Sequence, residues 1–161
     1  MNRPLHHGFT LIETMVVISI VAILALMLVP TYQDKAVRDQ INEALPLADL
    51  AKGPVAATWS AGQPFPADNA AAGLPAADYI VNNFVKSVAV QDGAVHVTFG
   101  NRASSALRDK VLSLRVAVVE SAPVVPPVWV CGYAQAPTNM AIKGENRTTV
   151  AANFLPLKCR T

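Results

Sequence analysis

The stretch that decides the fold is Phe9–Val29, with the sequence FTLIETMVVISIVAILALMLV. It holds 21 residues with a single charge, Glu13, and Pro30 follows it directly. About 20 apolar residues are enough for a helix to cross the hydrocarbon core of a bilayer. Arg3 lies before the stretch, and a basic residue on that side favours a cytoplasmic N-terminus. The sequence therefore predicts a membrane-spanning helix over residues 9–30.

The overall composition is apolar for a soluble protein. The chain has 161 residues, of which 52% are hydrophobic and 15% are charged, whereas soluble domains average about a quarter charged. This length suits one domain, and the apolar content excludes a disordered chain. Because much of the apolar excess precedes Pro30, a purely cytosolic soluble protein is not favoured. A net charge of +2 does not by itself indicate nucleic-acid binding.

Glu13 is the residue that a simple membrane segment does not explain. A carboxylate inside a spanning helix costs about 2.5–3.5 kcal/mol on insertion scales and marks a function. A secretory signal peptide has a shorter apolar core and a cleavage site of small residues, which Val29-Pro30-Thr31-Tyr32 does not provide. A plain membrane anchor leaves the carboxylate without a purpose.

A third interpretation comes from a resemblance at both ends of the segment. Residues 8–13, GFTLIE, resemble the processing motif of type IV prepilins, and residues 29–34, VPTYQD, are similar to the I-P-x-Y-Q-D found in that family. The resemblance implies that a prepilin peptidase cuts after Gly8 and removes a leader, residues 1–8. It also implies that Phe9, the new N-terminus, is then methylated.

Glu13 matches the buried glutamate of that family, and electrostatics gives it a role in assembly. After cleavage Phe9 carries a positive charge, and opposite charges about 4 Å apart attract by about 4 kcal/mol at an effective dielectric near 20. The Phe9 nitrogen of a neighbouring subunit thus offsets the cost of burying Glu13, and such a pair fixes the register between subunits. The alternative is that Glu13 lies at the bilayer edge. Thr14 departs from the family, which usually has leucine or methionine, but its hydroxyl can bond back to the preceding turn.

Beyond Pro30 the pattern indicates an amphipathic helix that lays one face on a head domain, residues 31–161. Proline inside a helix removes a hydrogen bond and kinks or breaks the helix. We therefore predict kinks at Pro30 and Pro46. Gly53-Pro54 is either a kink or the end of the helix, with a short final helix through Trp59.

The remainder of the head predicts an antiparallel sheet. Residues 61–78 are rich in proline, glycine and alanine and predict a loop, and Asp92-Gly93 predicts a hairpin turn. The β-branched segments predict four strands: Phe84–Val90, Ala94–Phe99, Lys110–Val119 and Val128–Ala134. A long helix covering one face of a four-stranded antiparallel sheet is an α+β fold. It is also the fold of the pilin family.

Two cysteines, Cys131 and Cys159, lie 28 positions apart in a domain predicted to be exported. Such a pair most simply forms a disulfide, and it matches in position the disulfide-bounded C-terminal loop of pilins. Zinc is not favoured, because only two thiols exist and His96 is the one histidine beyond the leader. His96 alternates with valines on a strand and is predicted to face solvent. No catalytic motif is present, so we expect neither an enzyme nor a bound cofactor or metal.

The C-terminal tail is slightly basic, with Glu145 opposing four cations: Lys143, Arg147, Lys158 and Arg160. One interpretation is a sequence-independent contact with DNA phosphates, as in DNA-uptake pilins. The other, which we favour, is an ordinary solvated loop. Trp59 and Trp129 are predicted to be core or interface aromatics rather than ligand platforms.

The resemblance implies a subunit of a type IV pilus. Such subunits are stored in the inner membrane among lipids, are added by an inner-membrane assembly machinery, and form a homo-oligomeric helical filament on the bacterial surface. Adhesion, twitching motility and DNA uptake are the outputs that the family implies. Two alternatives remain: a type II secretion pseudopilin, which usually lacks the bridge expected at Cys131 and Cys159, and a minor pilin that binds DNA.

Overall fold

A computed structural model describes residues 9–160, and it describes their side chains except those of residues 28–31. The predicted leader, including Gly8, lies outside the described residues. The chain divides into two units with the boundary between Lys35 and Ala36. We call the second unit the head.

The first element is helix α1, Leu11–Ser60. Its hydrogen-bonded turns continue through Pro46 and Gly53-Pro54, so the latter pair does not end the helix. The reason is packing: Ala51 and Val55, on either side of the pair, are fully buried, and tertiary burial of an apolar face outweighs the hydrogen bond that a proline removes. The kinks at Pro30 and Pro46 stay predictions.

Within the head, α1 buries one narrow face. The buried residues recur at intervals of three and four, which is the spacing of one side of an α-helix. They are Val37, Ile41, Ala44, Ala48, Ala51 and Val55. Three of the six are alanines, so the helix can lie close to the residues that it covers. This face forms one hydrophobic core with the inward side chains of the sheet.

The sheet contains the four predicted strands and one more. β1 (Val85–Gln91), β2 (Ala94–Phe99), β3 (Val111–Val118) and β4 (Val128–Cys131) are antiparallel and adjacent in sequence order. The prediction of a four-stranded sheet was incomplete, because β5 (Ala141–Lys143) pairs with the end of β3. A strand of three residues is too short for a periodic pattern to reveal it.

Side chains of the sheet alternate between two faces. Val95, Val97 and Phe99 of β2 belong to the core beneath α1, whereas Ala94 and His96 point to the opposite side. We call that opposite side the outer face. Residues of the C-terminal region cover it.

The loop between α1 and β1 is held by Asn69. Its Nδ2 donates to the carbonyl oxygens of Pro75 and Val88 at 2.9 Å each, and its Oδ1 accepts the N–H of Val90. Asn69 is 8% exposed, and a buried amide with three good partners is a specific fastening. The loop is therefore tied to the middle of β1.

Candidate assembly segment and C-terminal loop

The side chains of residues Phe9–Met27 form an exposed apolar surface. We call these residues the assembly segment. All of its side chains are exposed; Phe9 is 74% and Leu26 75% accessible. Among the described residues, α1 is long and apolar enough to cross a membrane, by length and composition. An apolar surface of this extent marks a site of contact with lipid or protein.

Glu13 lies in the first turn of α1, where its backbone is already satisfied. Its N–H donates to Oγ1 of Thr10 at 3.3 Å, so Thr10 caps the helix and Glu13 occupies the third helical position. Threonine followed three residues later by glutamate is a capping-box sequence, and a carboxylate there also suits the helix dipole. Capping is thus a local alternative to a role of Glu13 in assembly. As predicted, the hydroxyl of Thr14 donates back, to the carbonyl of Leu11 at 2.8 Å.

The two cysteines form a disulfide, as expected. Cys131 ends β4, Cys159 lies in a final 3-10 turn (Leu157–Cys159), and their Cα atoms are 4.6 Å apart. Between them residues 132–158 form what we call the C-terminal loop. Gly132 begins it with φ of 59°, and a Cβ there would be 2.7 Å from the carbonyl oxygen of Cys159. Only glycine fits this turn, which also ends β4 three residues before the predicted boundary.

The C-terminal loop crosses the outer face of the sheet at β3. At one end β5 pairs with β3, with Lys143 opposite Val116. At the other end Thr148 and Thr149 accept the backbone N–H groups of Ser113 and Val111 through their hydroxyls. These groups lie on the side of β3 where β4 has already ended. Threonine side chains therefore take the place of a missing strand.

The four basic residues of the tail have different surroundings. Lys143 pairs with Glu120, and the hydrogen bond and charge from Lys143 lower the pKa of the Glu120 carboxyl. Arg147 Nε lies 2.8 Å from Oε2 of Glu145. Arg160 donates to two backbone carbonyls, and Lys158 is exposed. Two of the four cations are thus paired with carboxylates of their own chain, which leaves less charge for DNA phosphates.

Known proteins match this chain at both ends. A family profile described as Pilin (bacterial filament) matches residues 37–160, and one described as Prokaryotic N-terminal methylation motif matches residues 3–29. The type IV major pilin protein PilE1 of Neisseria gonorrhoeae is 34% identical over 98% of this chain and 89% of its own length. The fimbrial protein of Neisseria meningitidis serogroup A is 33% identical over 98% and 96%. The fimbrial protein EcpC of Eikenella corrodens is 40% identical over 71% and 77%.

This chain belongs to the type IV pilin family. The pilin family consists of structural filament subunits and not of enzymes. Membership implies a homo-oligomeric surface filament and processing by a prepilin peptidase. The methylation motif covers the whole assembly segment, and the pilin profile covers residues 37–160 of the head.

Trp129 is a core aromatic residue of the pilin head, as predicted. This indole packs against the core, and Nζ of Lys52 lies 5.8 Å from the centre of its ring. Trp59, near the end of α1, stacks on Phe65 with ring centres 5.7 Å apart. Both rings fasten parts of the head to one another.

The prediction that His96 faces solvent was wrong, since this side chain is only 5% exposed. His96 does point away from α1, but the C-terminal loop covers that face. Its Nδ1 lies 2.9 Å from Oγ of Ser113, which also accepts the N–H of Arg147. Its Nε2 is buried with no hydrogen-bond partner within the described structure. Burial and, secondarily, the charge of Arg147 lower the pKa of His96 below its ordinary 6.5, while Glu145 acts weakly in the opposite direction.

The pilin head should therefore lose stability on mild acidification. Because the pKa of His96 is lower in the folded than in the unfolded chain, the unfolded chain binds more protons, and the free energy of unfolding falls as the pH drops through 6.5. Urea unfolding at pH 7.5 and pH 5.5 measures this. The decrease should be larger in the wild type than in His96→Gln, which keeps a polar group beside Ser113 but does not titrate. Equal decreases in both would contradict the assignment.

Proposed function

We propose that this pilin is the major structural subunit of a type IV pilus and that it enters the filament through its assembly segment. The observation that carries the proposal is the exposed apolar assembly segment, in which Glu13 is the one charge and which begins within the processing motif of residues 8–13. Among the described residues of a single chain, nothing covers this surface. A bundle of identical helices covers it on all sides.

The proposed sequence of events follows from the same segment. A prepilin peptidase cuts after Gly8, and Phe9 is methylated while the helix is held in the inner membrane among lipid chains. The inner-membrane assembly machinery then moves the subunit into the filament. There contacts between helices replace the contacts with lipid. The Glu13 carboxylate pairs with the Phe9 nitrogen of a neighbouring subunit, and this pair fixes the register between the helices.

We infer adhesion and twitching motility as outputs of the filament. DNA uptake is a further candidate, to which the basic residues of the tail would contribute. Its support is weaker, because Lys143 and Arg147 already pair with carboxylates of the same chain. Arg160 and Lys158 are the two tail cations without a carboxylate partner among the described residues. Retention of DNA by the pilin at two salt concentrations tests it, since phosphate contacts weaken steeply as salt rises.

Processing after Gly8 gives a direct test of the proposal. The intact mass of subunits sheared from the cell surface should correspond to a chain that begins at Phe9 and carries one methyl group. Replacing Gly8 by a larger residue, as in Gly8→Val, should leave full-length precursor in the membrane and no subunit in filaments.

The matched control is Gly62→Ala, a glycine substitution outside the motif. It should leave processing intact. It should lower head stability, because alanine is strained at the φ of 69° found at Gly62, although its Cβ meets no atom within 4 Å. A mature chain that begins near Pro30 would instead identify a conventional signal peptide and would end the proposal.

A further inference from the structure

Two arginine side chains converge on one carbonyl oxygen in the head. Arg38, on α1, donates from Nη2 to the carbonyl of Asn153 at 2.9 Å. Arg160 donates from Nη2 to the same oxygen at 3.0 Å and from Nε to the carbonyl of Leu155 at 2.9 Å. Since both Nη2 atoms lie within 3.0 Å of one oxygen, they are within about 6 Å of each other.

No carboxylate neutralises this pair among the described residues. The ion pairs found there are Lys52–Asp49, Lys86–Asp109, Lys143–Glu120 and Arg147–Glu145. Two like charges at this separation repel, and a carbonyl dipole offsets only part of that repulsion. The uncompensated positive charge of the two guanidinium groups therefore favours an added anion.

The arrangement is fixed by the surrounding structure. The carbonyls of Asn153 and Leu155 belong to the C-terminal loop, which the disulfide closes at Cys159 immediately before Arg160. Leu155 and Cys159 are fully buried. A site whose groups are already held in place loses little conformational entropy when a ligand binds.

We propose that Arg38 and Arg160 form a binding site for a phosphate dianion, either inorganic phosphate or the monoester headgroup of a lipid. Each guanidinium is a planar fork whose N–H groups match phosphate oxygens. A phosphate monoester carries about −1.5 to −2 charges at pH 7, which matches two arginines, whereas a carboxylate neutralises one. Arg38 follows Pro30, the end of the predicted spanning segment, by eight positions, so a lipid headgroup is one source of the ligand.

The test uses full-length pilin in a neutral detergent. Inorganic phosphate is titrated at constant ionic strength, with chloride as the reference anion, while the Nε–Hε signals of the arginines are followed by NMR. We expect saturable shifts for Arg38 and Arg160. Arg38→Gln and Arg160→Gln should weaken binding by about tenfold or more, since each removes charge-assisted hydrogen bonds. Arg108→Gln removes an equal charge from an exposed residue and should bind phosphate as the wild type does.

Arg38→Lys keeps the positive charge but lacks the planar guanidinium group, so it should bind phosphate with a strength between those of Arg38→Gln and the wild type. This variant distinguishes an effect of binding geometry from a loss of folding. A second arm compares nanodiscs. If a headgroup is the ligand, phosphatidic acid reproduces the shifts without added phosphate, and if free phosphate is the ligand, phosphatidic acid has no such effect while phosphate still saturates. Shifts that do not saturate, or that fall equally in Arg108→Gln, would show charge screening alone and would overturn the proposal. Filament yield plays no part in this readout.

Discussion

Removal of the Cys131–Cys159 disulfide should lower the free energy of unfolding of the head by about 2–5 kcal/mol. Cross-linking a loop of this length restricts the unfolded chain by roughly 3–4 kcal/mol in the chain-entropy description. The loop contains one strand of three residues, β5, and few other regular contacts of its own. Replacing both cysteines, Cys131→Ala with Cys159→Ala, avoids a free thiol. Urea unfolding followed by tryptophan fluorescence measures the change.

The structure also predicts which part of the head loosens first. Thr148 and Thr149 bind the edge of β3 from within the disulfide-closed loop, so the amides of Val111 and Ser113 should exchange with deuterium faster in the double variant. The face of α1 around Ile41 should stay protected. Val124→Ala, at a residue 90% exposed, is the control and should change stability by less than about 0.5 kcal/mol. Two free thiols in surface filaments would contradict the prediction.

Local patterns in the sequence predicted the regular elements of this pilin. The apolar run from Phe9 and the amphipathic pattern after it predicted α1 as far as Gly53-Pro54. The helical turns beyond that pair were predicted through Trp59, either as part of α1 or as a separate short helix, and α1 ends one residue later at Ser60. Asp92-Gly93 gave the hairpin, and β2 has the predicted bounds Ala94–Phe99. These features depend on neighbours within a few positions of one another, which periodicity and turn chemistry describe directly.

The features that were missed depend on residues far apart in the sequence. His96 is buried because residues more than forty positions later cross the face on which it lies. A strand position that alternates with valines gives no sign of this. The register of the sheet carries the missing signal: His96 and Ser113 are directly opposite, and two polar residues paired on a supposedly exposed face suggest a polar cover.

At Gly53-Pro54 a strong local signal for a helix end is overridden by tertiary packing. Both residues disfavour a helix interior, and by propensity alone a helix end was a reasonable alternative. However, Ala51 and Val55 bury against the sheet only if the helix continues. The core therefore decides the conformation of the pair.

The role of Glu13 can be separated from simple anchoring by filament yield. If its carboxylate pairs with the Phe9 nitrogen of a neighbour, Glu13→Ala removes the partner and also makes membrane insertion easier. The subunit should then accumulate and be cleaved normally in the inner membrane. Since the pair contributes about 4 kcal/mol at an effective dielectric near 20, we expect the sheared filament fraction to fall to less than about one tenth of the wild type.

Glu13→Gln distinguishes pairing from helix capping. Glutamine is as suitable as glutamate in a capping box, so the capping alternative predicts a normal filament yield. Pairing instead predicts a yield between those of Glu13→Ala and the wild type, because glutamine keeps a hydrogen bond but loses the charge. Ser19→Ala is the matched control. The Ser19 hydroxyl donates only to the carbonyl of Met15 within its own helix, so the substitution removes a polar group without removing a charge. The measurement is subunit in the sheared fraction divided by subunit in the membrane fraction. A wild-type ratio for Glu13→Ala would show that the carboxylate has no part in assembly, because an anchor that loses a costly charge should insert as well as before or better.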